Sequence, residues 1–508
     1  MNFFKNKYSN IIWFSFIFMF VEFILRTVLI CVSFSEINKS LIDILKIYFI
    51  GSLYDSLVLF CIIIIPILYV FFIPGKIYNN KIHKITMSIL YFLSIFFLVF
   101  ISFAEYFFWD EFGVRFNFIA VDYLIYTQEV VGNIVESYPM PLIFGAITFI
   151  TALIFIFVRK RKIKFAYFTI APVFLICSMD INFFNNSNNK FNYELSQNGI
   201  YSFISAFRNN EIDYNGFYLK SDKKENFKIL RKKLRAKNSE FVSKDLFNIK
   251  RHIKGNGEEK KYNVILVVVE SLSSRYLGVF GSDRKCSPYL DKLSEESLFF
   301  TNIYAVGTRT VRGFEALTLS IPPTPGISIV KRPNNENMFS AGFIFQGRGY
   351  DTKFIYGGYG YFDNMNYFFS NNGFDIVDRD NFSEEEKTFG NVWGLCDEDL
   401  FNKTIKEADK SYEQNKPFFS FVMTTSNHRP YTYPEGKIDV PSHTGTTGSV
   451  KYTDFAIHQL LETAKQKPWF KNTIFVVVAD HCAGSAGRSE LPVDRYEIPL
   501  FIYNPYLF

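Results

Sequence analysis

Long apolar runs fill the first third of the chain, and short ones recur at regular intervals through its second half. A helix crosses the hydrocarbon core in roughly 17–25 residues. Five runs come close to or exceed that length: about Ile11–Phe34, Tyr48–Phe72, Ile85–Phe108, Pro141–Val158 and the shorter Phe165–Ile181. They predict a five-helix transmembrane bundle over residues 1–181. The first run is too long for a secretory signal and lacks a small-residue cleavage site. From Tyr262 onward the apolar runs shorten to strand length and alternate with helical periodicity, the pattern of an α/β domain with a mainly parallel sheet. The predicted strands are Val264–Val269, Leu298–Tyr304, Thr352–Tyr356, Phe418–Thr424, Ile474–Ala479 and Pro499–Tyr503. Predicted helices include Tyr289–Glu296, Val311–Ser320, Met338–Gln346, Glu398–Tyr412 and Val450–Gln466. Residues 182–261 form a polar connector with a helical stretch at Asn226–Ala236, and Gly255-Asn-Gly257 marks the entry to the domain at 262–508.

Charge orients this arrangement. Lys5 and Lys7 precede the first run, Lys76, Lys81 and Lys84 separate the second and third, and Arg159, Lys160, Arg161, Lys162 and Lys164 separate the fourth and fifth. The loop Tyr106–Pro139 instead holds Asp110, Glu111, Asp122, Glu129 and Glu136 against a single base, Arg115. Basic loops stay inside, so the N-terminus is expected in the cytoplasm and the α/β domain on the periplasmic or extracellular side of a bacterial inner membrane. Within the first run, Glu22 and Arg26 stand one helical turn apart and are expected to neutralise each other, while Asp55 hydrogen-bonds inside the bundle. The connector is basic: Lys220–Lys261 carries fifteen Lys or Arg against six Asp or Glu. It either lies along anionic head groups or is a solvated, partly helical linker. Six cysteines add little, since Cys286, Cys396 and Cys482 lack metal-type spacing and an odd number cannot close a disulfide set. No nucleic-acid partner is expected.

Open α/β sheets build their sites beyond the carboxyl ends of the strands. Glu270 follows the first predicted strand, Asp480-His481 follow another, and Thr425-Ser-Asn-His428 follow a third. Two carboxylates and two imidazoles at one sheet edge suit a divalent ion such as Mn²⁺, Mg²⁺ or Zn²⁺. Gly307-Thr-Arg-Thr-Val-Arg-Gly313 opens a helix, with Thr310 expected at its N-cap, where backbone N–H groups favour an anion. A metal-bound threonine hydroxyl loses its proton readily and can attack phosphorus, with Arg309 and Arg312 holding phosphate oxygens. Thr308 competes with Thr310 for that role.

These segments resemble the lipoteichoic acid synthase and phosphoglycerol transferase family, sulfatase-like members of the alkaline phosphatase superfamily. The resemblance rests on Asn263-Val-Ile-Leu-Val-Val-Val-Glu270, Gly307-Thr-Arg-Thr310-Val-Arg-Gly-Phe-Glu, Ser426-Asn-His428 and Val478-Ala-Asp480-His481. It implies that Glu270, Thr310, Asp480 and His481 bind a metal, with Mn²⁺ the expected ion, that Thr310 is the nucleophile, and that His428 faces substrate. It implies a transferase that takes a phospho-head group, phosphoglycerol from phosphatidylglycerol, through a phospho-threonine to a glycan or polyol-phosphate acceptor. Where such synthases carry a His-Gly head-group motif, this chain has Tyr356-Gly-Gly-Tyr-Gly-Tyr-Phe-Asp363-Asn-Met-Asn366, so Tyr356, Asp363 and Asn366 are the candidates for that pocket. Phosphoethanolamine transfer remains the alternative, although the cysteines that usually frame the threonine in such enzymes are missing. A non-catalytic scaffold or transporter is a further one. Only 27 residues follow His481, whereas family members continue, so a truncated domain with the edge at Ile498–Asn504 bare is expected.

Overall fold

The computed structural model describes residues 7–125, 127–159, 187–208, 219–255, 257–324, 326–485 and 493–507. The N-terminal part runs α1 (Ser9–Val32), α2 (Leu41–Phe72), α3 (Lys81–Phe112), the short α4 (Phe118–Ile125) and α5 (Thr127–Ser137), then α6 (Met140–Arg159). Among the described residues, four helices, α1, α2, α3 and α6, are long and apolar enough to cross a membrane. The fifth expected run, Phe165–Ile181, and the basic loop before it from residue 160 lie outside the described residues. The helices start where local chemistry provides a cap. Ser40 accepts from the Asp43 N–H at 3.2 Å, and Asn80 accepts from the Ile82 N–H at 2.9 Å. α3 stops at Gly113, whose left-handed φ of 68° suits glycine. Phe18, Val58, Ile95, Leu98 and Ile147 meet in the bundle interior, while Phe16, Phe20, Ile65 and Leu142 are exposed, an apolar surface suited to lipid.

Polar groups tie this bundle together. Arg26 does not pair with Glu22 as its spacing implied. Its guanidinium makes a bidentate pair across the bundle with Asp55 of α2, at 2.7 and 3.0 Å, and both side chains are at most 2% exposed. A planar fork matches a carboxylate presented face-on from a neighbouring helix better than one on its own helix. Arg26 also donates to the carbonyls of Leu195 and Gln197 at 3.0 and 3.1 Å, and Asn198 donates to Asp55 at 2.9 Å. Gly51 is required here, since a Cβ would stand 2.3 Å from Arg26 Cζ. A second buried pair joins Arg115 to Glu105 of α3. Together they strap α7 (Lys190–Leu195) and the start of α8 (Gly199–Arg208) to the helices. Next comes a small unit, α9 (Lys223–Leu234) with the antiparallel hairpin β1 (Ser239–Phe241) and β2 (Arg251–Ile253).

The C-terminal part is a seven-stranded sheet built from β3 (Asn263–Val269), β4 (Leu298–Phe300), β5 (Asp351–Tyr356), β6 (Asp375–Val377), β7 (Phe418–Met423), β8 (Thr473–Ala479) and β9 (Leu500–Tyr503). Their order is β4-β9-β8-β3-β7-β5-β6, and β9 alone runs against the others. β3 and β7 are apolar and buried, as central parallel strands covered on both faces must be. Helices α10 (Pro288–Glu295), α11 (Thr310–Leu319), α12 (Ala341–Gln346), α13 (Met365–Ser370), α14 (Asp397–Glu413) and α15 (Thr446–Lys465) connect the strands. The expected strand to Tyr304 ends at Phe300, and Tyr304 keeps a single bridge to Glu497. The three-residue β6 and the short α13 carry too little pattern to have been foreseen. The last strand does not leave the expected bare edge, because β4 returns antiparallel onto β9 from the other side of β8. Removing the Asp55 carboxylate would leave a buried guanidinium without its counter-charge. Asp55→Ala should therefore cost about 3–5 kcal/mol, and Arg26→Met/Asp55→Leu should recover much of it. Thermal unfolding of the full chain in detergent reads both, and an unchanged midpoint for Asp55→Ala would show the pair dispensable.

Candidate active site

The sheet register assembles the site. Val269 of β3 stands opposite Ala479 of β8, and Val268 opposite Met423 of β7. The residues that leave those strands, Glu270, Asp480-His481 and Thr424, therefore emerge side by side. The Glu270 N–H donates to Thr424 Oγ1 at 2.9 Å. Ser271, at φ 54°, turns the chain away and donates from its N–H to Asp480 Oδ1 at 2.9 Å and from its hydroxyl to Glu270 Oε1 at 2.6 Å. α11 brings Thr310 to the same place. Its Phe314 lies among Phe354, Phe369 and Phe421 at ring separations of 5.2–5.9 Å, which anchors the helix on the sheet. Gly313 lets it approach, because a Cβ there would be 2.8 Å from the Asp480 backbone oxygen. Thr310 is the first helical residue, one position later than its expected place at the N-cap, which Arg309 occupies. The Thr310 hydroxyl donates to Glu270 Oε2 at 3.2 Å.

Glu270, Asp480 and His481 each offer a ligand atom, all within 4.8 Å of one another. His481 Nδ1 lies 3.0 Å from the Cys482 carbonyl, which can only accept. Nδ1 therefore carries a proton, and Nε2 is the ring nitrogen that faces Asp480 and Glu270, at 3.4 and 3.6 Å. Asp480 Oδ2 is buried without a hydrogen-bond partner. Burial first, and the Glu270 charge second, push the Asp480 carboxyl up to about 7. Burial pulls the His481 imidazole down, but Asp480 and Glu270 outweigh it and its pKa rises. An orphaned oxygen, two crowded carboxylates and a preset imidazole nitrogen fit a divalent cation, which would satisfy the one and relieve the other.

A cavity of about 880 Å³ opens onto this cluster. Its walls include Glu270, Thr310, His481, His428, Arg309 and Arg429, together with the apolar Phe103, Phe107 and Phe112 of α3, Ile134 of α5 and Ile143 of α6. Thr308, Tyr356 and Asp363 line it too. Burial raises the Tyr356 phenol, so it stays neutral as a donor. Two expected residues turn elsewhere. Arg312 donates to buried Glu315 at 3.0 Å and to the Gly326 carbonyl at 2.5 Å. Asn366 donates to Asp378 at 2.7 Å, closing its own loop. His428 lies against Trp393, ring centroids 4.0 Å apart, with Nδ1 2.9 Å from the Arg429 carbonyl. Arg429 and Trp393 were not foreseen; a base directly after His428 was the one available signal. Nor were their partners from the N-terminal helices. Glu111 pairs with Arg429 at 2.6 Å, Tyr138 accepts from Arg429 at 2.6 Å, and Asp122 pairs with Arg309 at 2.6 Å. Lys331 bridges Asp122 and Asp363 at 3.6 and 3.1 Å. Such pairings between parts far apart in sequence carry no local signature.

A protein in the alkaline phosphatase superfamily from Vibrio parahaemolyticus is 35% identical to the chain, with a TM-score of 0.51 over 58% of this chain and 72% of that one. The sulfatase family model matches residues 262–508. The chain belongs to the alkaline phosphatase superfamily. Lipoteichoic acid synthase of Staphylococcus aureus is 24% identical over 239 residues, 44% of this chain and 36% of that protein. The chain thus matches about a third of the length of these curated relatives. The integral membrane protein lipooligosaccharide phosphoethanolamine transferase A from Neisseria meningitidis shares the fold over 98% of this chain and 89% of its own, with a TM-score of 0.57 at 13% identity. With four apolar helices among its described residues, the chain is an integral membrane protein.

Binding of a divalent ion at Glu270, Asp480 and His481 should raise the stability of the purified chain by ~2.7 kcal/mol at a hundredfold excess over Kd. Asp480→Asn should abolish that gain in a thermal-shift titration with Mn²⁺; a gain equal to wild type would put the ion elsewhere. The ion-free chain should also lose stability as pH rises from Asp480's ordinary 3.8 to its native value of about 7. Over that window the folded state holds the proton more tightly than the unfolded chain does. Bound Mn²⁺ should flatten the slope, and an identical slope with and without it would contradict this account.

Proposed function

We propose that this protein is a metal-dependent transferase that moves a phospho-head group from a membrane phospholipid to a hydroxyl of a cell-envelope glycan or polymer, with its catalytic part, residues 262–508, on the outer side of the membrane. The observation that carries the reading is the cavity, whose single lining combines the Glu270–Thr310–His481 cluster with aromatic side chains of α3. That is the chemical profile of a phospholipid, a charged phosphodiester on an apolar tail. The similarity to lipoteichoic acid synthase over 239 residues supports phosphoglycerol, from phosphatidylglycerol, as the group moved.

Thr310 is the nucleophile in this reading. A divalent ion, of which Mn²⁺ is the expected one, would be held by Glu270, Asp480, His481 and Thr310, and would supply positive charge that acidifies the threonine hydroxyl and offsets charge on the phosphoryl oxygens. Thr310 Oγ1 bonds to phosphorus as the bond to the diacylglycerol oxygen breaks, and its proton leaves toward Glu270 Oε2, which it already faces at 3.2 Å. The departing oxygen takes a proton from Nε2 of His428 in its imidazolium form, whose Nδ1–H stays on the Arg429 carbonyl, and leaves the ring neutral. Diacylglycerol leaves a phospho-threonine. An acceptor hydroxyl then attacks phosphorus, its proton passes to His428, and the Thr310 oxygen is released and reprotonated. Arg309 and Arg429 hold phosphate oxygens once Asp122 and Glu111 yield them. Trp393 keeps the His428 ring upright.

The purified chain with Mn²⁺ and fluorescent phosphatidylglycerol should release diacylglycerol, and Thr310→Ala should lower the rate by at least about a thousandfold, as removal of a covalent nucleophile does. Intact mass after lipid incubation should show one added head group on wild type and none on Thr310→Ala. The mass itself distinguishes phosphoglycerol from phosphoethanolamine, and absence of turnover with any phospholipid by a metal-loaded sample would sink the proposal. Filling the apolar part of the cavity with Ala104→Trp should raise KM for long-chain lipid and leave hydrolysis of a soluble phosphodiester unchanged. An equal loss on both substrates would argue against the cavity as the lipid path.

A further inference from the structure

Residues 219–254 form a folded unit whose polar contacts are turned inward. Arg231 of α9 donates to the carbonyls of Ser243 and Asp245, at 2.9 and 2.6 Å, and to that of Asn248, and it covers the ring of Phe241 at 3.9 Å. Phe227 of α9 meets Phe247 edge-on at 5.2 Å, and Arg251 of β2 reaches back to the Leu234 carbonyl. Asp222 caps the helix by accepting from the Glu225 N–H at 3.0 Å. Among the described residues, every hydrogen bond and ion pair made by this unit stays within it. Nothing recorded ties it by polar contacts to the bundle or to the sheet.

Its surface is strongly basic and partly apolar. Thirteen Lys or Arg stand against four Asp or Glu between residues 219 and 254. Lys224, Lys228, Lys232, Lys233, Lys244 and Lys250 are exposed, and the ion pairs recorded for the unit are Lys228–Glu225 and the longer Lys254–Glu240 at 3.4 Å. Beside these cations Ile229, Val242, Ile249 and Ile253 are 40–66% exposed. Lysines mixed with exposed branched aliphatics match an interfacial surface: the cations meet anionic head groups and the aliphatics enter the acyl boundary. A soluble polyanion would satisfy the lysines and leave the isoleucines in water. The unit is also part of an integral membrane chain, so a bilayer surface is always at high effective concentration.

We infer that residues 219–254 dock on the anionic lipid surface of the leaflet beside the catalytic part, as an electrostatic and apolar anchor independent of the catalytic cluster. The charge decides partner and conditions: the contact requires anionic lipid and weakens with salt, because exposed charges are screened within about 8 Å at physiological ionic strength. This inference does not rest on the transferase reading, since it concerns a surface outside the cavity.

The test uses the full chain in vesicles, with the exposed Cys31 and Cys61, and also Cys177, changed to serine and an environment-sensitive dye on Ile253→Cys. Lipids carrying a nitroxide on the head group report proximity by quenching. Vesicles with about a third phosphatidylglycerol are expected to quench the dye at least twofold more than pure phosphatidylcholine vesicles. High salt should remove the difference, as should the variant Lys224→Glu/Lys228→Glu/Lys232→Glu/Lys233→Glu. Circular dichroism of that variant should match wild type, since all four side chains are exposed. Equal quenching in both vesicle types would overturn the inference, as would quenching indifferent to charge reversal. So would a soluble polyphosphate that shifts the dye signal in phosphatidylcholine vesicles while phosphatidylglycerol does not, which would assign the surface to a polyanion.

Discussion

Parallel pairing of β3 with β8 on one side and β7 on the other sets the level at which three strands end. Because the ladders are in register up to Val269–Ala479 and Val268–Met423, the chain leaves the sheet at three adjacent points on one edge. Whatever follows is forced into one small volume. Here that is a glutamate, an Asp-His pair and a Thr-Thr-Ser-Asn-His loop. The close approach of Glu270 to Asp480 is electrostatically unfavourable by itself, and the protein tolerates it with backbone donors from Ser271 and His481 and with hydroxyls from Ser271 and Thr310. A site held under such repulsion is primed for a cation.

The loop bearing His428 is fixed from behind. Asp397, buried at the start of α14, accepts from the N–H groups of Thr425 and Ser426 at 3.2 and 3.1 Å and from Thr453 at 2.7 Å. Burial raises its pKa even so. Asn427 donates to the Glu270 carbonyl at 2.9 Å, tying the histidine loop to the first strand end. On the front, the acidic stretch from the end of α3 to α6 supplies Glu111, Asp122 and Glu129 to Arg429, Arg309 and Tyr361. Arg309 and Arg429, which line the cavity, are thus held by carboxylates of the N-terminal helical part.

Much of this was legible in the residues. The strand ends bearing Glu270, His428 and Asp480-His481, and the helix opening at Thr310, stood out because parallel strands are continuous apolar runs whose ends are sharp. The first four apolar helices were equally plain. Less legible were partners chosen across space. Glu22 was the obvious neighbour for Arg26, yet Asp55 offers both oxygens in the plane of the guanidinium. Arg312 looked like a phosphate ligand until buried Glu315 claimed it, and Asn366 was drawn to Asp378. The short β6 and α13 have too few residues for a period to show.

By itself, the sequence determined what depends on runs and neighbours: an apolar helical part, a mainly parallel α/β part, a basic unit between them, and the residue types at each strand end. Local hydrophobic periodicity and chain direction suffice for that. Only the tertiary structure decided what depends on register and on side chains meeting from distant segments. It put Glu270, Asp480 and His481 within 4.8 Å of one another, placed a proton on His481 Nδ1 through the Cys482 carbonyl, and tucked the last strand between β8 and β4. It also made one cavity from two parts of the chain, because ion pairs such as Arg309–Asp122 form only where the folded surfaces bring the charges together.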